Sequence, residues 1–391
     1  MKLTYKQEQG LKIAVERYKK HEKYTIISGY AGTGKSTLVS FIIDVLPIKE
    51  ENVCFATYTG KAAQVLAQKG NKNVSTLHKL LYDSYPRPDG TFYRKPKAIL
   101  DYNVIVIDEI SMVPKSLIDL LLSHNIYMIG LGDPFQLPPI LKDEDNHLLD
   151  NPHIFLDQIM RQAEESEIIR LSMQIRNYQP LSYNKGTDAI IMKKENINTG
   201  ILTWADQILV ATNKTRININ TQMRKLLSHK GKRPEEGDKV ICLRNYWGIL
   251  SNQNEYDLIN GTIGYLQNVT NLSYKLPAYV GGNQIEKTNA ILKIENNDFY
   301  NYLNMDTYMI LTGKKCIDNK TAFKLTKNPN TKELVPLEFT YGYAITGHKA
   351  QGSQWDKVTI LEENFPFDRE EHARWLYTCV TRSINKVVLI R

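Results

Sequence analysis

Cysteine is scarce in this chain, and what there is stands dispersed. Cys54, Cys242, Cys316 and Cys379 are far apart, so no paired spacing of the zinc-site kind exists. Cys54 in VCFA and Cys379 in YTCVT read as reduced core thiols, and disulfides are not expected. Long apolar runs are also missing; none approaches the roughly 20 residues that a membrane-spanning helix needs. The opening MKLTYKQEQG is polar and lacks the apolar centre of a signal peptide. These absences lead to the expectation of a soluble, cytoplasmic protein with no membrane partner. No repeat of solenoid length and no cluster of nuclease-type carboxylates is visible. What is present suits two or three ordinary domains: 391 residues, 42% apolar and 24% charged, enough to bury a sizeable core. The net charge of +8 is compatible with a nucleic-acid partner, although many basic proteins bind nothing anionic.

The first third alternates short apolar runs with helical patterns. YTIIS (24–28), NVCFA (52–56), VIVI (104–107) and IYMIGL (126–131) read as buried strands. KSTLVSFIIDVL (35–46, stopped by Pro47), KAAQVLAQ (61–68) and SLIDLLL (116–122) read as helices. This alternation predicts a parallel sheet with ligands at the carboxyl ends of its strands. YDSYPRPDGTFYRKPK interrupts the rhythm with a Pro-Asp-Gly turn and reads as an inserted hairpin. Residues 177–200 are polar and read as a linker or loop. A second α/β pattern is expected from QILVAT (207–212), a helix near 214–227, KVICL (239–243), FTYGYAI (339–345), VTILEE (358–363) and KVVLIR (386–391). The Asn-, Tyr- and Lys-rich stretch between them, from 265 to about 338, reads as a small β-rich insertion.

The chemistry begins at Gly29-Tyr-Ala31-Gly32-Thr33-Gly34-Lys35-Ser36, which satisfies the phosphate-binding P-loop pattern between a strand and a helix. Glycines let the backbone turn its N–H groups toward phosphate oxygens, and the helix adds its positive end. In such a loop Lys35 reaches the β- and γ-phosphates and the Ser36 hydroxyl ligates magnesium; Thr37 adds the next N–H of the helix start. VIVIDEIS supplies carboxylates about 70 residues downstream. Asp108 is the candidate for holding the metal and Glu109 for polarising an attacking water. A further strand ends in GDPFQLPP, where Gln136 is either a γ-phosphate sensor or part of a proline-rich turn.

Taken in order, these runs and those that follow resemble superfamily 1 helicases, in particular the 1B branch of the RecD and phage Dda type, from about residue 3 to 385. Leu3-Thr-Tyr-Lys-Gln7 resembles the Q motif, which implies that Gln7 reads adenine. Ala56-Thr57-Tyr-Thr59-Gly-Lys61-Ala-Ala63 resembles motif Ia and Ser75-Thr76-Leu-His78 the element after it, both implied to contact a single strand. Tyr343 to Ser353 resembles motif V, with Thr346, His348 and Lys349 implied at the strand and Gly352 at the nucleotide. The family often carries a larger apolar residue where Gly347 stands, so this chain departs there. Leu376-Tyr-Thr-Cys-Val-Thr-Arg382 resembles motif VI, which makes Arg382 the implied arginine finger. Arg161 in IMRQ resembles the motif IV arginine, and an exposed helix arginine is its alternative. Phe92 and Tyr93 stand where the family carries a strand-separating pin, or form a small local core. Asn260-Gly261 resembles the turn before the family's inserted domain.

The resemblance implies an α/β fold of two RecA-like P-loop domains. The first is residues 1–175 with a β-hairpin inserted at about 80–98. The second is residues 176–391 with a small β-rich, SH3-like insertion at about 265–338. It also implies an ATP- and magnesium-dependent DNA helicase moving 5′→3′ on single-stranded DNA, acting at duplex junctions and as a monomer. An RNA helicase, or a DNA-remodelling ATPase subunit of a nuclease complex, remains open at this point.

Overall fold

The computed structural model describes residues 3–86, 92–138, 145–160, 165–252, 257–294, 298–364 and 368–391. It divides into two compact units: Met1–Tyr82 with Pro96–Asn213 and Thr346–Arg391, and Asp83–Lys95 with Lys214–Ile345.

The first unit contains two mainly parallel sheets. One has six parallel strands in the order Val74–Thr76, Val53–Thr57, Val104–Ile107, Tyr127–Gly132, Tyr24–Gly29, Ile154–Leu156. Side chains alternate between its faces, and both faces are covered. Val104, Val106 and Ile129 pack with Leu38, Val39 and Ile42, while Ile105, Ile107 and Met128 pack with Leu77, Leu117 and Leu121. Burial on both faces explains why VIVI is an unbroken apolar run rather than an alternating one. Cutting one such side chain, as in Ile105→Ala, removes roughly 2–5 kcal/mol of stability. The order also gathers the chemistry. Gly29, Thr57, Ile107 and Gly132 all end parallel strands, so the P-loop, Asp108 and Asp133 emerge on one edge.

The second sheet has six strands in the order Ala344–Thr346, Gln207–Val210, Trp355–Leu361, Ser383–Ile390, Ala189–Met192, Asn184–Lys185, the last antiparallel to its neighbour. The expected linker at 177–200 is therefore partly sheet. Ala189 and Ile191 are buried, and the N–H groups of Asp188 and Ala189 donate to Glu167 Oε2 at 2.7 and 3.0 Å, which fixes the entry to that strand.

In the second unit, five strands form an antiparallel sheet in the order Phe299–Asp306, Gln284–Lys293, Ile263–Lys275, Lys239–Cys242, Phe339–Tyr341. This corrects two strand assignments. Lys239–Cys242 and Phe339–Tyr341 lie in this sheet and not in the parallel one, pairing with each other through Ile241 and Thr340. Tyr82–Pro86 and Phe92–Pro96 pair as a two-stranded sheet at the expected hairpin. Among the described residues no helix is long and apolar enough to cross a membrane.

Candidate nucleotide site

The P-loop turns through two left-handed glycines, Gly32 (φ 78°) and Gly34 (φ 76°), and Gly34 caps the helix Lys35–Val45. No side chain caps that helix, so its first N–H groups are left for a ligand, as anion sites at helix starts require. A Cβ on Gly29 would lie 2.7 Å from the Leu156 carbonyl, so glycine is required there by close approach. Lys35 Nζ donates to the carbonyls of Gly29 at 2.6 Å and Tyr30 at 3.0 Å. Burial pushes its ammonium below the ordinary range, against the pull of Asp133, Asp108 and Glu109. Ser36 is exposed at the start of the helix.

Asp108 follows the strand Val104–Ile107 and accepts the Glu109 N–H at 2.9 Å. Burial, then the neighbouring Glu109 charge, push its carboxyl above the usual range. Glu109 sits in the left-handed region (φ 52°, ψ 48°), a conformation that costs on the order of 1 kcal/mol or more for a residue with a side chain. That backbone turn delivers its carboxylate to Arg382. Arg382 Nη1 donates to Glu109 Oε1 at 3.2 Å, while Glu109 Oε2 is buried with no hydrogen-bond partner. Arg382 itself is 4% exposed and is steadied by the Thr378 carbonyl and the Thr381 hydroxyl. Gly352 (φ 75°) packs beside this pair; a Cβ there would lie 3.5 Å from Glu109 Oε2 and 2.9 Å from Ala62 Cβ.

The loop from Asp133 to Pro138 is held from the helix Arg369–Val380. Arg374 donates to the Pro134 carbonyl at 3.2 Å, Tyr377 to Asp133 Oδ2 at 2.6 Å, and the Thr378 hydroxyl accepts the Leu137 N–H at 3.0 Å. Residues 374, 377 and 378 share one helix face by their spacing. Gln351 Nε2 completes the hold on the Leu137 carbonyl at 2.9 Å. Gln136 lines a small polar pocket with Ser111, Asp133, Asn146, His147 and Arg374. None of these holding residues received a role from sequence; for Arg374, Tyr377 and Thr378 the one signal was their common helix face.

Other expected residues fall in varied surroundings. Gln7 is buried, accepts the Thr4 N–H in a capping box and donates to the Gly34 carbonyl at 3.3 Å, so it lies against the P-loop. The hydroxyls of Thr57, Thr59 and Thr76 serve their own backbone. Thr57 donates to the Thr59 carbonyl, and Thr59 and Thr76 cap the helices Gly60–Gln68 and Leu77–Leu81. His78 packs between Tyr58 and Tyr82 at ring distances of 5.6 and 6.3 Å, and Lys61 is half-buried. Thr346 caps the turn that carries His348 and Lys349, accepting the Lys349 N–H, and burial lowers the His348 pKa. Tyr93 is exposed, 6.4 Å from the Tyr85 ring, and Phe92 opens the strand Phe92–Pro96. Arg161 lies outside the described residues. An unforeseen cation, Arg176, stacks 3.5 Å over the ring of Tyr30 in the P-loop. The glycine at 347 has a packing cause, since a Cβ there would lie 2.5 Å from Trp375 Nε1 and 2.8 Å from Cys379 Sγ. Trp375 fills the space a larger residue would need.

Comparison with known proteins finds matches in both halves of the chain. The AAA domain family matches residues 4–191 and the UvrD-like helicase C-terminal domain matches residues 341–390. The ATP-dependent DNA helicase dda of Enterobacteria phage T4 is 29% identical over 180 residues, 44% of this chain and 40% of its own length. The ATP-dependent RecD2 DNA helicase of Deinococcus radiodurans is 25% identical over 387 residues, 93% of this chain and 46% of its own. The chain thus spans less than half the length of either relative. A Bacteroides Pif1 helicase in complex with ADP-AlF3 and single-stranded DNA superposes with a TM-score of 0.53 at 19% identity, covering 100% of this chain and 92% of that one, a likeness of fold. The chain is thus similar to superfamily 1B helicases of the RecD and Dda type.

Proposed function

We propose that this chain is an ATP-dependent DNA helicase that moves 5′→3′ along single-stranded DNA and separates duplex strands at junctions. The observation that carries the reading is the meeting of Glu109 with Arg382. A P-loop and two carboxylates from one parallel sheet converge with an arginine that follows a helix flanking the other sheet. In hydrolysis, Lys35 exchanges its backbone carbonyls for the β- and γ-phosphates. Glu109 Oε2, buried without a partner, orients the attacking water and takes its proton. Arg382, already at Glu109, stabilises charge on the transferring phosphoryl. Ser36 and Asp108 are hard oxygen donors suited to Mg²⁺, which neutralises phosphate charge when bound. Gln136 senses the γ-phosphate, Gln7 selects adenine, and Gly352 borders the nucleotide.

The halves 1–175 and 176–391 act as the two RecA-like domains of the motor, whose closure on ATP and reopening after hydrolysis drive translocation. Thr57, Thr59, Lys61, Thr76, His78, Thr346, His348 and Lys349 face the strand, and Phe92 and Tyr93 form the pin. For Thr57, Thr59 and Thr76 the backbone is the contact, since their hydroxyls are engaged. Arg161 is a second arginine for the phosphates. The relatives' DNA helicase names favour DNA over RNA, and their phage and bacterial sources favour a cytoplasmic site of action; action as a monomer is part of the proposal. The test is ATP hydrolysis with and without single-stranded DNA. DNA should stimulate turnover, and Lys35→Ala should abolish it; full activity of Lys35→Ala sinks the reading.

A further inference from the structure

A path of hydrogen bonds leads away from Lys35 that the hydrolytic chemistry does not use. Lys35 Nζ donates to the Tyr30 carbonyl at 3.0 Å. The same peptide unit presents the Ala31 N–H, which donates to the Tyr377 hydroxyl at 3.0 Å. The Tyr377 O–H donates to Asp133 Oδ2 at 2.6 Å, and Asp133 Oδ1 accepts the Phe135 N–H at 3.0 Å. The Tyr30–Ala31 peptide is thus gripped at its oxygen by the phosphate-binding lysine and at its nitrogen by a helix of the other sheet. Tyr377 is 1% exposed. Burial, then the Asp133 charge, hold its phenol protonated, so it stays a donor to Asp133 and keeps a lone pair for Ala31.

This peptide has a choice to make. A backbone N–H makes one strong hydrogen bond. In a P-loop those N–H groups are the phosphate's donors, and the lysine is its cation. A nucleotide that recruits Lys35 and the Ala31 N–H removes both partners of the Tyr30–Ala31 peptide and leaves Tyr377 with Asp133 alone. Thr378 and Arg374, on the same helix face, hold Leu137 and Pro134, so any shift of this helix is felt along the loop that carries Gln136.

We propose that Tyr377 is a positioning residue that reports phosphate occupancy of the P-loop to the loop Asp133–Pro138, by surrendering the Ala31 N–H to the nucleotide. It rests on the reading of Lys35 as a nucleotide ligand. The Ala31–Tyr377 bond then opposes nucleotide binding, and its removal tightens binding, the reverse of what a purely structural bond would give.

The experiment is calorimetric binding of Mg·ATPγS to the full chain and to Tyr377→Phe. The variant is expected to bind about 3- to 10-fold more tightly, the equivalent of one hydrogen bond no longer broken on binding. Unchanged or weaker binding, with cooperative melting preserved, overturns the proposal. If Tyr377→Phe loses cooperative melting because Asp133 is left a buried carboxylate without its partner, the double variant with Asp133→Asn is measured instead. The same tightening is expected there, and its absence overturns the proposal equally. A Lys35→Ala arm separates the two levels: if it binds ATPγS as tightly as the unaltered chain, or the unaltered chain does not bind, the nucleotide reading fails and takes the proposal with it.

Discussion

Replacing Arg382 by alanine separates folding from chemistry at one residue. Its guanidinium donates to the carbonyls of Thr378 and Ser353, the Thr381 hydroxyl and Glu109 Oε1. Removing one partner of a buried ion pair costs roughly 3–5 kcal/mol. Here the Glu109 side chain is 21% exposed, so solvent relieves part of the loss and the lower end, about 3 kcal/mol, is expected. A domain with typical stability of about 5–15 kcal/mol survives that. The chemical loss is larger, because an arginine on the transferring phosphoryl is worth about 10³–10⁵ in rate, or about 4–7 kcal/mol of barrier. The variant should therefore fold, bind ATPγS and barely turn over. The assay is steady-state ATP hydrolysis at saturating single-stranded DNA, with melting and ATPγS affinity measured alongside. kcat is expected to fall by about 10³ or more. Arg382→Lys should recover little of this, since an ammonium keeps the charge but not the four-point fork. A kcat within about tenfold of the unaltered chain would refute the role of Arg382.

Other outcomes follow from the same geometry. Gly347→Leu, the larger apolar residue, drives its side chain into Trp375 and Cys379 and should cost about 1–3 kcal/mol in denaturant unfolding, with no compensating gain. Asp108→Asn should raise the magnesium concentration needed for half-maximal hydrolysis, and an unchanged requirement removes Asp108 from the metal site. Burial depresses the Lys287 pKa to about 8 from 10.5. Between those values the unfolded chain binds a proton that the folded one does not. Folding stability therefore gains up to about 3 kcal/mol as pH rises through that window. Lys287→Met should flatten that rise in pH-dependent unfolding.

The nucleotide half of the site was legible because its signals are local. The P-loop and VIDE are contiguous runs whose chemistry follows from strand-to-turn placement. The second sheet was harder. KVICL and FTYGYAI are short apolar runs, and such runs do not reveal whether their partners are parallel or antiparallel; Lys239–Cys242 pairs antiparallel with Phe339–Tyr341, while Ala344–Thr346 joins the sheet of Gln207–Val210. Ala189–Met192 escaped notice because four apolar residues sat among Asn and Lys. The hold on Asp133–Pro138 was invisible for a different reason. Tyr377 meets Ala31 from 346 residues away, a separation that no periodicity encodes. Conversely, Thr57, Thr59 and Thr76 looked available for a polymer, yet local caps and turns claim their hydroxyls.

The central claim is a motor with a direction, and strand displacement tests it most directly. Duplexes carrying either a 5′ or a 3′ single-stranded tail are offered to the chain with Mg·ATP, and release of the displaced strand is followed over time. Displacement from the 5′-tailed duplex, abolished by Lys35→Ala and absent with the 3′ tail, is the predicted result. Displacement from the 3′ tail alone, or displacement that persists in Lys35→Ala, contradicts the account.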